Sequence, residues 1–128
     1  MKITDTHVAR RLRSESNIWV ATARPGGRPH LTPTWFVLHG EELYICIDPG
    51  SVKARNLIAN TRVALALEDG AAPIIVEGAV RPVEDSDRPQ GVLDEFKRKY
   101  DWDILEDSQY NLLIAITPTK VLSWGEGD

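Results

Sequence analysis

Asn17-Ile18-Trp19-Val20-Ala21-Thr22-Ala23, then Pro25-Gly26-Gly27, then His30-Leu31-Thr32-Pro33-Thr34-Trp35-Phe36-Val37-Leu38, is a run of strand formers, a turn and a second run. β-Branched and aromatic side chains fit a pleated, half-buried surface, and Pro-Gly-Gly reverses the chain, so this stretch predicts a hairpin. In its second strand Leu31, Trp35 and Val37 share one face, with Thr32, Thr34 and Phe36 on the other. Pro33 has no N–H to give a ladder, which puts an edge or a bulge there.

The pattern continues outward. His39-Gly40-Glu41-Glu42 is a turn, and Leu43, Ile45 and Ile47 then share one face of a third strand, so that three consecutive strands predict an antiparallel meander. Val63, Leu65 and Leu67 alternate with the small Ala64 and Ala66 in a fourth strand, Thr61 to Glu68. Ile74 to Arg81 is a fifth, with Gly78 marking a bulge or bend. Tyr110 to Thr117 and Thr119 to Trp124 make two more, punctuated by Pro118, and the last four residues form a tail.

Helices are short by comparison. Asp5 or Thr6 caps a first one with Val8, Ala9 and Leu12 as its apolar stripe. Ser86 and Pro89 start a longer one carrying Val92, Leu93, Phe96 and Tyr100 on one face, followed by an acidic loop, Asp101 to Ser108, around Trp102. Six or seven strands with no β-α-β alternation predict a mainly β chain with small helices, built as a small antiparallel barrel.

Between the third and fourth strands stands Asp48-Pro49-Gly50-Ser51-Val52-Lys53-Ala54-Arg55-Asn56-Leu57-Ile58. Ser51 is an N-cap behind two helix breakers, and Ala54, Leu57 and Ile58 make the apolar face of a short helix. Lys53 and Arg55 in its first turn oppose the helix dipole, at a typical cost of ~0.3–1 kcal/mol each when exposed. A phosphate or carboxylate held by first-turn N–H groups and both cations removes that conflict. A solvated helix with two ordinary cations is the alternative.

The 128 residues suffice for one domain, spanning 1–128, with a core that needs no disulfide. With 15 basic and 19 acidic side chains and a net charge of −4, no strong field gathers nucleic acid or anionic lipid. Arg10, Arg11 and Arg13 lack the interleaved aromatics of a single-strand binder. No apolar run is long enough to span a bilayer and Met1 to Asp5 carries no signal-peptide core, so a cytoplasmic protein is expected.

Catalytic signatures are missing: no Walker loop, dinucleotide-binding glycine fingerprint, HExxH helix or GxSxG elbow occurs. His7, His30 and His39 have no metal-ligand spacing, and Cys46, the lone cysteine, lies between Ile45 and Ile47 as a small hydrophobe. We therefore expect neither a metal site nor a side-chain nucleophile. An anion cradle, a barrel and nearby aromatics suit a cofactor that carries its own reactivity.

Gly27-Arg28-Pro29-His30-Leu31-Thr32-Pro33-Thr34-Trp35-Phe36-Val37, Glu42-Leu43-Tyr44-Ile45, Ser51-Val52-Lys53-Ala54-Arg55-Asn56-Leu57, Asn60-Thr61-Arg62-Val63, and Pro118-Thr119-Lys120-Val121 through Trp124 together resemble the pyridoxamine 5'-phosphate oxidase-like family. The resemblance spans nearly the whole chain. It implies a split β-barrel homodimer that binds FMN or the deazaflavin coenzyme F420 at the subunit interface and passes a hydride to a small conjugated organic substrate. By position, Lys53 and Arg55 would hold the cofactor phosphate with Ser51 and Asn56, and Thr32, Pro33, Thr34 and Trp35 would line the ring largely through backbone atoms. Trp124 would close the rim or come from the partner subunit. Core or dimer packing is the other role open to Trp35 and Trp124. The C-terminal arginine and histidine pattern of the vitamin B6 oxidases is absent. Two other functions remain compatible with the residues: a non-catalytic dimer that binds flavin or haem, and a scaffold with a vestigial cradle.

Overall fold

The computed structural model describes residues 1–125. Seven antiparallel strands form one curled sheet in the order β2-β1-β5-β6-β7-β4-β3, where β1 is Ile18–Ala23, β2 Pro29–Thr34, β3 Val37–His39, β4 Glu42–Ile47, β5 Arg62–Leu67, β6 Ile74–Pro82 and β7 Leu112–Ser123. Three helices accompany it: α1 (Thr6–Ser14), α2 (Val52–Ala59) and α3 (Gln90–Tyr100). This is the split barrel, as expected.

The concave face holds the main core. Ile18 and Val20 of β1, Leu43 and Ile45 of β4, Leu65 of β5, Ile74 and Val76 of β6 and Ile114 and Ile116 of β7 are buried there, with Val8, Ala9 and Leu12 of α1 packed on them. Each such aliphatic side chain contributes roughly 1.5–3 kcal/mol on burial. A smaller apolar cluster lies on the opposite face of β3, β4 and β7. There Val37, Tyr44, Cys46, Leu113 and Ala115 meet Val92 and Phe96 of α3 and Ile104 of the following loop. Among the described residues no helix covers that second face over β1, β2 and β5.

The structure corrects the meander. The expected strand from His30 to Leu38 is two strands, β2 and β3, at opposite edges of the sheet. Pro33 weakens the ladder, and the backbone at Phe36 finds its partners in α3. The Phe36 N–H donates to the Tyr100 hydroxyl at 3.0 Å, and its carbonyl accepts from Lys99 Nζ at 2.9 Å. Phe36 itself is fully buried while Trp35 turns outward, 46% exposed.

Two smaller corrections follow the same logic. The two expected terminal strands are one, β7, because the register shift beside Gly78 absorbs Pro118, which pairs with that glycine. α3 begins at Gln90 behind Pro89, and Ser86 lies in a short 3-10 turn, Asp85–Asp87. Gly78 is required by close approach: a Cβ there would lie 2.5 Å from the Thr117 carbonyl oxygen.

Candidate functional site

Ser51 caps α2 as expected. Its hydroxyl accepts from Ala54 N–H at 3.1 Å and donates to the Asp48 carbonyl at 2.7 Å. The helix face that packs on the barrel differs from the expected one. Ile58 is 68% exposed, whereas Lys53, Ala54, Asn56 and Leu57 face inward. Asn56 Nδ2 donates to Thr22 Oγ1 of β1 at 3.0 Å, which fixes α2 against the concave face of that strand.

Lys53 and Arg55 part company at this helix, because residues two apart point to different sides. Arg55 points outward and its guanidinium donates back to the Gly50 carbonyl at 3.1 Å. Lys53 is 9% exposed, and among the described residues no hydrogen bond or ion pair reaches its ammonium. Burial lowers the Lys53 pKa from the ordinary lysine value.

The neighbouring strand supplies a second observation. In the β1–β2 register Thr22 is opposite His30, Val20 opposite Thr32 and Ile18 opposite Thr34, so His30, Thr32 and Thr34 share the face that carries Thr22 and receives α2. His30 Nδ1 and Thr32 Oγ1 are buried and have no hydrogen-bond partner. Such groups are rare in folded proteins and costly to leave unpaired. The unpartnered ammonium of a largely buried lysine and two orphaned polar atoms on the sheet face against which α2 packs at β1 suit an anion. The first-turn N–H groups of an α-helix, which lack intrahelical acceptors, add to that chemistry.

Sequence reasoning missed His30. Its alternation with Leu31 was visible, but its place beside Thr22, where α2 docks, follows only from strand pairing and from a helix more than twenty positions away. Thr32 was expected to contribute its backbone; it is its buried, unpartnered hydroxyl that stands out here. β2 also ends the sheet, so one of its backbone edges has no strand partner. From His30 to Thr34 the strand runs about 13 Å at the usual rise.

At the far end of β2 stands Trp35. Its indole stacks on Tyr100 with centroids 4.5 Å apart and planes at 6°, and meets Trp102 edge-on at 5.8 Å. A chamber of about 310 Å³ opens beside it, lined by Thr34, Trp35, Cys46, Trp102, Asp107 and Tyr110. Cys46 is no nucleophile: burial pushes its thiol up to about 12, and the thiol donates to the Tyr110 carbonyl at 3.2 Å. Trp124 is not brought to this group within the chain. It follows β7, which is separated from β2 by β1, β5 and β6, and is 52% exposed. Among the described residues no cluster of three or more His, Cys, Asp or Glu side chains could hold a metal, and no helix is long and apolar enough to cross a membrane.

Comparison with known proteins agrees with the architecture. The pyridoxamine 5'-phosphate oxidase family model matches residues 4–125. A conserved hypothetical protein from Mycobacterium tuberculosis superposes with a TM-score of 0.78 at 25% identity, over 95% of this chain and 84% of that one. An F420 reductase superposes with a TM-score of 0.71 at 27% identity, over 88% and 94%. The haem storage protein HutZ from Vibrio cholerae reaches 0.81 over the whole of both chains at 20% identity, a likeness of fold alone. No curated protein matches the chain. The chain belongs to the pyridoxamine 5'-phosphate oxidase family.

Proposed function

From that membership we propose that the protein is a homodimeric oxidoreductase that binds F420 or FMN and transfers a hydride between the cofactor and a small conjugated organic substrate. The observation that carries this is Lys53, a largely buried side chain whose ammonium has no partner among the described residues, on the helix bonded to Thr22 of β1, beside which the orphaned His30 Nδ1 and Thr32 Oγ1 lie on the same face of the sheet. A cofactor phosphate satisfies all three. Arg55, exposed at the same helix, adds long-range attraction, while Ser51 and Asn56 shape the cradle by capping α2 and locking it to β1.

The cofactor's ring system, when bound, supplies the hydride chemistry. The chain supplies position. Thr32, Pro33, Thr34 and Trp35 continue from the cradle along an edge strand, whose length from His30 to Thr34, about 13 Å, suits a long ligand with its phosphate at one end and its ring toward Trp35. Trp35, rigid against Tyr100, closes that end and excludes water.

Support for the dimer lies on the convex face that no helix covers. Leu31 is 60% exposed, and the register sets it beside Ala21, with Pro33 beside Trp19 and Ala66 beyond. A second copy covering this apolar, small-residue surface would remove it from water. The F420 reductase among the similar structures favours the deazaflavin as the first cofactor to try.

The experiment is a turnover assay. Protein titrated with reduced F420, and separately with reduced FMN, is supplied with conjugated acceptors while cofactor absorbance is followed. Multiple turnovers support the oxidoreductase. Tight binding without turnover by any acceptor would move the protein to a binding role, and a Soret band on haem addition would name its ligand.

A further inference from the structure

The chamber beyond Trp35 differs in chemistry from the cradle. Its walls are the indoles of Trp35 and Trp102, the Tyr110 ring and the Cys46 thiol, which burial keeps neutral. No cationic side chain lines it; its one charge is the Asp107 carboxylate. That carboxylate is fixed in place, accepting the Gln109 N–H at 2.9 Å, the Tyr110 N–H at 2.7 Å and the Trp102 indole N–H at 3.0 Å. The first two bonds, then the third, hold its pKa below the usual carboxylate range, so it is charged at neutral pH. Arg88, whose charge reaches the Cys46 thiol, stands outside the lining and is paired with Asp85 at 3.1 Å and the Asn111 carbonyl at 2.6 Å.

Aromatic faces attract cations through their quadrupoles, and a carboxylate among them adds to the same preference while repelling anions. About 310 Å³ is the small end of the range for ligand pockets, which limits an occupant to one or two fused rings. We propose that this chamber is the substrate pocket and selects a flat aromatic cation, such as an N-alkylated or protonated nitrogen heterocycle, with its positive edge toward Asp107. The assignment to substrate rests on the cofactor-binding function proposed above; the cation preference rests on the chamber alone. It also disfavours phosphorylated and carboxylated substrates, since no side chain in the lining would meet their charge.

Calorimetric titration tests it with two probes of equal ring size, 1-methylquinolinium and 1-naphthoate. The wild-type protein should bind the cation at least tenfold more tightly than the anion, and Asp107→Asn should reduce that ratio to threefold or less. Because Asp107 also orders its loop, Tyr110→Ala serves as the second variant; it leaves the backbone bonds of Tyr110 in place and should weaken the cation at least threefold. Equal affinity for the two probes, an unchanged ratio in a folded Asp107→Asn protein, or full affinity in Tyr110→Ala would each overturn the proposal. The same titrations in Lys53→Met protein keep the anion cradle, itself a site for a carboxylate, from contributing to the ratio, which should still favour the cation at least tenfold. A cradle that fails its own cofactor titration while the ratio holds therefore sinks the cofactor reading and leaves the cation pocket standing.

Discussion

Asn56 and Thr22 are joined by a buried hydrogen bond of 3.0 Å between the amide of α2 and the hydroxyl of β1. Among the described residues it is the one side-chain hydrogen bond across that junction, and it sets which face of α2 looks into the barrel. Lys53, three residues earlier, is carried inward with Asn56 by the helical repeat.

Breaking that bond on one side leaves a buried polar group unpaired. Thr22→Val and Asn56→Ala should each destabilise the protein by about 1–3 kcal/mol in urea unfolding. The double variant should cost less than the sum of the two, a coupling of roughly 0.5–2 kcal/mol in a double-mutant cycle. Strict additivity would mean that the bond does not hold α2.

Gly78→Ala tests the bulge. The added Cβ would meet the Thr117 carbonyl oxygen at 2.5 Å and force β6 and β7 apart. We expect a loss of about 1–3 kcal/mol, read as a lower denaturation midpoint with an unchanged slope.

Lys99 gives the fold a pH signature. Its ammonium donates to the carbonyls of Leu12 at 3.1 Å and Phe36 at 2.9 Å and lies 3.8 Å from the Phe36 ring centroid. Burial, then the neighbouring Arg98 charge, brings its pKa down to about 8, with Glu95 and Glu15 acting the other way. A depressed lysine pKa means that the unfolded chain binds more protons between pH 8 and its ordinary value near 10.5, so stability rises with pH across that window. The gain should be roughly 1–3 kcal/mol before Tyr100, whose own pKa is raised to about 12 by burial, reverses the trend above pH 10. Urea unfolding at pH 7.5 and 9.5 measures it, and Lys99→Met should flatten the difference.

Lys53 is the opposite case, a partly desolvated charge on a largely buried side chain, with no partner among the described residues. Removing it relieves desolvation, so Lys53→Met should raise the stability of the ligand-free protein by about 1 kcal/mol. A marked loss instead would assign Lys53 a structural contact.

Much of this was legible in the chain. Alternation in Ile18 to Ala23 and Thr61 to Glu68 marked strands that the sheet contains, and Gly78 marked its bulge. Ser51 announced its cap. What escaped notice depended on contacts distant in sequence. The break after Thr34 is set by Lys99 and Tyr100, some sixty residues on, which take over the backbone of Phe36. Ile58 has the spacing of a core residue, yet Asn56 turns that side of the helix to solvent by bonding Thr22. His30 carries no local signal at all, since only strand pairing sets it beside Thr22, the residue to which α2 is bonded.

The most direct test of the central claim is a fluorescence titration of wild-type and Lys53→Met protein with F420 and with FMN. One charge-assisted phosphate contact is worth about 1.5–3 kcal/mol, or roughly 10–100-fold in affinity. The variant should therefore bind the preferred cofactor at least tenfold more weakly while remaining folded and at least as stable without it. Equal affinity in the two proteins would contradict a phosphate site at Lys53, and with it the function proposed for this chain.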